Sequence, residues 1–187
     1  IDPQTRKIIF KDGEMEFDHL VIATGSSHHY FGNSQWAALA PGLKTIEDAI
    51  TIRHRILKAY EMAELETDPQ KQKSLLTFVI IGGGPTGVEI AGAVAELASG
   101  TLKEDFRNIY PPASEIILVE AGDRILTTFP PELAVKAVKS LERLGVRVLT
   151  NSRVTDITEG TVTVESGNRE TIIPAGTVLW SAGVKAS

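Results

Sequence analysis

The chain has 187 residues, of which 42% are hydrophobic and 23% are charged, a composition typical of a globular protein. Its net charge of -5 gives no reason to expect nucleic acid as a partner. Cysteine is absent, which excludes disulfides, thiolate metal sites and a cysteine nucleophile, and the longest apolar runs are too short to cross a bilayer.

The N-terminal quarter of the chain predicts strands and a loop. Residues 7–10 and 15–17 flank a turn at Asp12-Gly13, so that they predict two strands. The apolar run at residues 20–23 predicts a third strand, ending at Thr24-Gly25. Residues 26–42 contain Gly, Asn, Ser and Pro, and we expect a connecting loop there.

A long helix is expected next. Thr45 predicts its start, with Asp48 at the third position as a variant of the capping box. Apolar residues then recur at helical spacing and predict one buried face, made of Ile52, Ile56, Ala59, Tyr60 and Ala63. A polar stretch containing Pro69 follows, and we expect the helix to end there.

Strands and helices then alternate. Residues 77–81 form a continuous apolar and β-branched run, the pattern of a strand buried on both faces. Further strands are predicted at residues 115–120 and 146–149. The helix between them, at residues 132–144, is expected to bury Val138, Leu141 and Leu144, and Gly145 is its natural end.

The last part of the chain predicts an antiparallel β-meander at residues 154–157, 161–164 and 171–173. A final strand at residues 177–180 ends at Ser181-Ala182-Gly183. Together these elements predict an α/β fold, a Rossmann-like doubly wound parallel sheet with an antiparallel β-meander.

A glycine-rich turn, Gly82-Gly83-Gly84-Pro85-Thr86-Gly87, joins the first parallel strand to the helix after it, which is the context that a dinucleotide site requires. Gly82 would allow the tight turn, Gly84 would leave room for a pyrophosphate, and Gly87 would let the helix approach the sheet. Pro85 suits the first helical position. The alternative is a glycine-rich turn without a ligand.

Two acidic residues are candidates for contacts to the same dinucleotide. Glu120 ends the second parallel strand, where a carboxylate would bind the ribose hydroxyls and repel a 2′-phosphate, so that we expect NADH rather than NADPH. A plain surface acid is the alternative, and Arg124 would soften the preference if it reached a 2′-phosphate. Glu89 is equally compatible with a helix-dipole interaction and with a contact to the nicotinamide end.

The remaining polar residues predict no catalytic or metal site. His28 and His29 are adjacent and have no acidic residue close in the sequence, so we expect a loop role. His54 lies between two arginines and is expected to be solvated. Nothing resembles a catalytic triad. Hydride transfer requires only that two cofactors be positioned, so no catalytic side chain is expected.

Several segments resemble those of the two-dinucleotide flavoproteins of the pyridine nucleotide-disulphide oxidoreductase superfamily, and more closely those of type II NADH dehydrogenase (NADH:quinone oxidoreductase). The similarity spans nearly the whole chain. The segments are residues 17–26, Tyr30-Phe31-Gly32, residues 44–49, residues 79–89, residues 118–124 and residues 178–183.

The resemblance implies a division of the chain and a set of cofactor contacts. Residues 1–43 would be the end of the first FAD-domain segment, 44–183 an NADH-binding Rossmann domain, and 184–187 the return to the FAD domain. Thr24 and Gly25 would approach FAD. Glu89 would lie by the nicotinamide, Ala121 would accompany Glu120, and Ala182-Gly183 would line the NADH cleft.

The resemblance also implies a function for a longer parent protein, since the chain begins without Met and lacks an upstream FAD-binding glycine motif. The parent would pass a hydride from NADH to FAD and electrons to a quinone, in the cytoplasm and peripherally on a membrane. This piece alone is expected to be inactive and to self-associate. Two alternatives are another reductase of the superfamily, for ferredoxin, nitrite or sulfide:quinone chemistry, and a non-catalytic NADH-sensing flavoprotein.

Overall fold

The computed structural model describes residues 1–186 and begins with an antiparallel hairpin. Its strands are β1 (Lys7–Phe10) and β2 (Gly13–Glu16), which confirms the prediction for this region. A short strand, β3 (Ser26–His28), and a 3₁₀ turn at Ser34–Ala38 lie where we expected only a loop. That expectation is wrong for these residues. A distant strand pairs with β3, and a core cluster packs around the 3₁₀ turn.

The strand predicted at residues 20–23 is not formed. Val21 is 88% exposed and Ile22 is 66% exposed, although both are strongly apolar. A strand of this kind needs neighbouring strands that pair its backbone and cover its side chains. Within residues 1–186 no strand lies beside this run, and its apolar surface stays open to solvent.

The first long helix, α1 (Ile46–Leu65), has the predicted start and the predicted buried face. The Thr45 hydroxyl accepts a hydrogen bond from the Asp48 N–H at 3.1 Å, and the Asp48 carboxylate accepts one from the Thr45 N–H at 3.0 Å. This reciprocal pair is a capping box. All the residues predicted for its buried face are buried: Ile52, Ile56, Ala59, Tyr60 and Ala63.

The polar stretch after α1 forms a second helix, α2 (Pro69–Leu75), which was not predicted from the sequence. The Asp68 carboxylate accepts hydrogen bonds from the N–H groups of Gln70 and Lys71, and Pro69 occupies the first helical position. An N-cap side chain followed by proline starts a helix as readily as proline ends one. The predicted end of α1 is therefore correct, but the sequence interpretation did not include a second helix directly after it.

Next comes the alternation of strands and helices that the sequence predicts. Its elements are β4 (Thr77–Ile81), α3 (Pro85–Glu96), β5 (Glu115–Val119), α4 (Pro131–Arg143) and β6 (Val146–Leu149). The three strands are parallel and adjacent, in the order β4, β5, β6.

The antiparallel meander follows β6 and consists of β7 (Ser152–Thr158), β8 (Thr161–Ser166) and β9 (Arg169–Pro174). The chain then returns to the central sheet through β10 (Thr177–Trp180), which pairs in parallel with β4. The sheet order β10-β4-β5-β6 places a switch point between β4 and β10, where connections leave in opposite directions. The doubly wound fold is confirmed.

The central sheet is buried on both faces, and successive strand side chains point into the two different cores. Phe78 and Ile80 belong to the core that includes residues of α1, α3 and α4. Val79 and Ile81 belong to the core that includes meander residues and Trp36. The continuous apolar runs in the strands are therefore explained by two packed layers.

The prediction for the buried face of α4 is wrong at one residue. Leu141 is buried and Val138 is half-buried, but Leu144 is 37% exposed. Leu144 is the C-cap of α4, and Gly145 with φ of 87° then turns the chain toward β6. The side chain at the helix end thus leaves the packed face, while Gly145 terminates α4 as predicted.

The final strand, β11 (Val184–Ala186), runs antiparallel to β3, with Val184 opposite His28. The Trp180 indole N–H donates to the backbone oxygen of His29 at 3.1 Å, beside this pairing. The segments on either side of the central fold therefore run together. The last residue of the region that we assigned to 184–187 lies outside the described residues.

Candidate dinucleotide-binding site

The glycine turn leaves β4 through a backbone conformation that requires glycine. Gly82 has φ of 107°, and its N–H donates to the backbone oxygen of Val119 at 2.8 Å. A Cβ at this position would lie 2.6 Å from backbone atoms of Ser181 and Ala182. Both the left-handed conformation and the close approach of the β10 end exclude a side chain here.

Gly87 allows α3 to start directly against the end of β4. A Cβ at Gly87 would lie 1.8 Å from the backbone oxygen of Gly82, a distance that no structure tolerates. The packing role predicted for this glycine is confirmed. Pro85 lies in the first turn of α3, as predicted, and Thr86 beside it is half-buried.

The N-terminus of α3 is open in front of Gly84. Gly84 is the N-cap residue, it makes no side-chain capping bond, and a Cβ there would meet nothing within 4 Å. The first N–H groups of a helix have no partner within the helix and carry partial positive charge. Open space beside such groups is the arrangement that binds phosphate.

Glu120 lies immediately after β5 and is tied to the glycine turn. One carboxylate oxygen accepts a hydrogen bond from the Gly83 N–H at 2.6 Å, and the other accepts one from the Gly122 N–H at 2.7 Å. This bracing role was not predicted from the sequence. An ionised carboxylate has about four acceptor positions, so capacity remains for ribose hydroxyls.

The end of β10 closes the other side of the switch point. The Ser181 hydroxyl lies 2.8 Å from the backbone oxygen of Ile81 and 3.0 Å from that of Gly82. It therefore bridges the ends of β10 and β4, a contact that was not predicted from the sequence. Ala182 and Gly183, which follow, are half-buried.

A cavity of about 600 Å³ lies at this carboxyl edge of the sheet, a volume in the usual range for small-molecule sites. Of the predicted site residues, it brings together Gly82, Glu120, Ala121 and Ala182. Residues that were not predicted from the sequence also line it: Phe31, Asn33, Trp36, Ser152, Arg153, Val154 and Thr155. The residues at the start of β7 could have been predicted from the sequence. They follow the carboxyl end of β6 directly, and ligands of such sheets bind outside the carboxyl ends of the strands.

The other predicted site residues lie outside the cavity lining: Gly83, Gly84, Pro85, Thr86, Gly87, Glu89, Gly183, Thr24 and Gly25. Glu89 is exposed on α3. No contact within residues 1–186 favours either the helix-dipole interaction or the contact to the nicotinamide end. Thr24 and Gly25 are exposed ahead of β3, and Gly25 has φ of 77°. Their expected approach to FAD stays a prediction.

Arg124 does not stand free beside Glu120. Its two terminal guanidinium nitrogens donate to the backbone oxygens of Thr127 and Phe129, each at 3.0 Å. The side chain is therefore used to hold its own loop closed. A 2′-phosphate would have to break these bonds in order to recruit it.

The histidine pair includes one contact that was not predicted from the sequence. The His28 Nε2 lies 3.4 Å from the Asp48 carboxylate, although no acidic residue is near in sequence. Partial burial opposes ionisation of Asp48, but the N–H groups of Thr45 and Lys44 and the His28 ring lower its pKa below the usual value. His54 is exposed, as predicted.

Neither a metal centre nor a membrane-spanning helix occurs within residues 1–186. No group of three or more His, Cys, Asp or Glu side chains there is arranged to hold a metal ion. No helix in the described part of the chain is long and apolar enough to span a membrane.

Comparison with known proteins gives consistent relatives. The chain is 42% identical over 91% of its length to type II NADH:quinone oxidoreductase Ndh of Mycobacterium tuberculosis, of which it covers 37%. It is 41% identical over 98% of its length to NdhA of the same organism, of which it covers 39%. The chain thus spans about two fifths of these relatives, and their names confirm the resemblance stated from sequence.

Solved structures agree with these relatives. The structure of NDH2 from Plasmodium falciparum in complex with NADH matches 97% of this chain with a TM-score of 0.84 and 26% identity, and 38% of that protein is covered. A putidaredoxin reductase complex matches with a TM-score of 0.64 and 22% identity, which shows the fold alone. The model of the pyridine nucleotide-disulphide oxidoreductase family matches residues 1–187. The chain belongs to this family.

Proposed function

We propose that this chain is the NADH-binding portion of a flavin-dependent NADH dehydrogenase, which passes a hydride from NADH to FAD and electrons on to a quinone. One arrangement carries the proposal: the open N-terminus of α3 at Gly84, with Glu120 hydrogen-bonded to the adjoining Gly83. The names of the Mycobacterium tuberculosis relatives support the quinone, and the NADH complex of the Plasmodium falciparum protein supports the nucleotide.

The residues of the chain fit each part of the dinucleotide. The pyrophosphate would face the first N–H groups of α3, where the space at Gly84 is open and Pro85 has no N–H to leave unpaired. The ribose of the adenosine half would meet the remaining acceptor positions of Glu120. Its negative charge disfavours a 2′-phosphate, which is the physical basis for NADH rather than NADPH.

The nicotinamide half would lie toward the switch point, near the ends of β4 and β10. We propose that Glu89, Ala182 and Gly183 line this end. Gly183 has a close neighbour, since a Cβ there would lie 2.9 Å from the Phe31 ring. When bound, FAD supplies the hydride acceptor and the route to the quinone. The task of the chain is to position the nicotinamide and to exclude water, without a protein acid or base.

We propose the division of the chain into an FAD-domain segment at 1–43, an NADH domain at 44–183 and a return at 184–187. The pairing of β3 with β11 supports it, since these strands are the outgoing and returning connections. Thr24 and Gly25 would approach FAD from the first segment. In such a protein the apolar side chains of Val21 and Ile22 would be covered by the remainder of the FAD domain.

We also propose the surroundings in which the protein works. A quinone acceptor is held in a membrane, so we propose a cytoplasmic protein that lies peripherally on the cytoplasmic face. The net charge of -5 is consistent with a partner other than nucleic acid. Without a covering partner, the apolar residues exposed before β3 would promote association between copies of this chain.

Calorimetric titration with NADH tests the nucleotide assignment. We expect saturable binding of NADH, weaker binding of NADPH, and loss of NADH binding in the Gly84→Val variant with the fold retained. The extended backbone at Gly84 accepts valine, whereas its side chain would fill the space in front of the helix. Unchanged NADH affinity in Gly84→Val, with the thermal unfolding midpoint also unchanged, would contradict the assignment.

Turnover separates the proposed activity from the alternatives. The FAD-loaded protein that contains these residues should oxidise NADH with a water-soluble quinone. Turnover with ferredoxin, nitrite or sulfide and none with quinone would assign another reductase. NADH binding without any turnover would instead assign a sensing flavoprotein.

A further inference from the structure

Two residues of opposite charge line the cavity at the carboxyl edge of the sheet: Glu120 and Arg153. They are neighbours through the backbone. The Ser152 N–H donates to the backbone oxygen of Glu120 at 3.0 Å, and Arg153 is the next residue. The end of the cavity where the adenosine is proposed to lie therefore has an acidic and a basic residue on neighbouring segments, just after β5 and in β7.

The guanidinium of Arg153 is not committed to an ion pair. Glu165 lies directly opposite it in the register of β7 and β8, but the two side chains form no ion pair within 4.0 Å in the described part of the chain. Arg153 itself is exposed at the cavity wall. An arginine in this state is available to a ligand.

The other arginine of this region is already used. Arg124 donates to two backbone oxygens of its own loop and does not line the cavity. Arg153 is thus the cationic group of the cavity lining that could meet an anion near the adenosine ribose.

We propose that Arg153 is a specificity-determining residue that opposes Glu120 at the adenosine end, an inference that rests on the proposed nucleotide site. The Glu120 carboxylate repels a 2′-phosphate, and the Arg153 guanidinium attracts it through charge and through paired N–H donors. The preference for NADH over NADPH is set by the balance of the two. It is therefore weaker than Glu120 alone would make it.

Adenosine 5′-monophosphate and adenosine 2′,5′-bisphosphate test this balance, because they differ only in the 2′-phosphate and involve neither nicotinamide nor flavin. Affinities of both probes are measured by calorimetry for the native protein and for Arg153→Gln, Arg153→Lys and Arg169→Gln. Arg169 is the matched control, an exposed arginine of the same meander that does not line the cavity.

We expect Arg153→Gln to weaken the bisphosphate about tenfold while changing the affinity of the monophosphate little, since a charge-assisted bond is lost. Arg153→Lys should retain part of the difference because it keeps the charge without the paired donors. Arg169→Gln should change neither affinity. Added salt should reduce the effect of Arg153→Gln, because the 2′-phosphate contact is partly exposed.

An equal loss for both probes, or no loss for either, would overturn the assignment of Arg153 while leaving the nucleotide site intact. Failure of the native protein to bind NADH and both probes would overturn the nucleotide site itself, and Arg153 with it. The native protein is therefore measured first with NADH, so that the two failures are distinguished.

Discussion

The carboxylate of Glu120 and the backbone N–H of Gly83 are joined by a hydrogen bond of 2.6 Å, which links the end of β5 to the turn after β4. The second oxygen of the same carboxylate holds the Gly122 N–H at 2.7 Å. A residue singled out for its contact to a ribose therefore also braces the two loops between which the ribose would lie. In the proposed site, bracing and ribose binding would share one side chain, so a change there should affect both.

Replacement of Glu120 with Gln should destabilise the protein, because an amide nitrogen would face one of the two backbone N–H groups. We expect a loss of about 1–3 kcal/mol in the free energy of unfolding, together with weaker NADH binding. Urea denaturation measures the first effect and calorimetry the second. Glu115→Gln is the control, since its ion pair with Arg147 is partly exposed and worth about 0–1 kcal/mol. Equal losses in both variants would argue against the bracing role.

Two glycines of α3 should respond oppositely to alanine. A Cβ at Gly87 would lie 1.8 Å from the Gly82 oxygen, whereas a Cβ at Gly92 would meet only Leu141 at 4.0 Å. We expect Gly87→Ala to cost about 3 kcal/mol or more through overpacking, and Gly92→Ala to stabilise by about 0.5–1 kcal/mol through helix propensity. Denaturant midpoints check both values. Similar stability of the two variants would show that α3 is not held against β4.

Asp48 should stabilise the folded protein at neutral pH, and this contribution should be lost in acid. Its pKa is below the usual value of 3.8 in the folded protein, despite partial burial, because of bonds from the Thr45 and Lys44 N–H groups and the His28 ring. A depressed pKa gives stability that is present above the unfolded pKa and is lost as the pH falls through the folded pKa. The loss should therefore occur below about pH 4.

The Asp48→Asn variant tests this dependence. It should be less stable by about 1 kcal/mol at neutral pH, as expected for a weakened helix cap, and should lose less stability than the native protein on acidification. Denaturant unfolding from pH 6 to pH 2 measures the difference. Asp156→Asn, an exposed strand position, serves as the control. Parallel stability curves for Asp48→Asn and the native protein would refute the prediction.

The exposed residues before β3 should promote association of isolated copies. Val21 and Ile22 are 88% and 66% exposed and adjacent, which makes them an open apolar surface. We expect Val21→Lys with Ile22→Lys to shift the light-scattering mass toward the monomer. Ile172→Lys is the control, because Ile172 is 62% exposed but lies on strand β9 of the meander. A native chain that is strictly monomeric at high concentration would contradict the expectation.

Local patterns were sufficient wherever the physical cause was local. The capping box at Thr45 and Asp48 depends on residues three apart, and the buried face of α1 follows from helical spacing. The end of α4 at Gly145 depends on the conformational freedom of one residue. The apolar run at residues 77–81 was enough to predict a strand buried on both faces, although it did not show which elements cover them.

Predictions failed where the outcome depended on a distant partner. Residues 20–23 have the apolarity of a strand, but no neighbouring strand among residues 1–186 pairs with them. Ser26–His28 was predicted to be loop but forms β3, because β11, more than 150 residues later in the chain, pairs with it. Asp68 and Pro69 form a helix start whose signals were interpreted only as the end of α1.

The sequence by itself determined the alternation of strands and helices, the glycine turn at residues 82–87 and the carboxylate that follows the next strand. Each of these depends on residue type and near-neighbour spacing. Only the tertiary structure decided that Glu120 binds the Gly83 N–H, that Arg124 is engaged by its own loop, and that Arg153 shares the cavity with Glu120. These contacts join residues about 30 or more apart or depend on loop conformation, because parallel strands bring distant segments to one edge of the sheet.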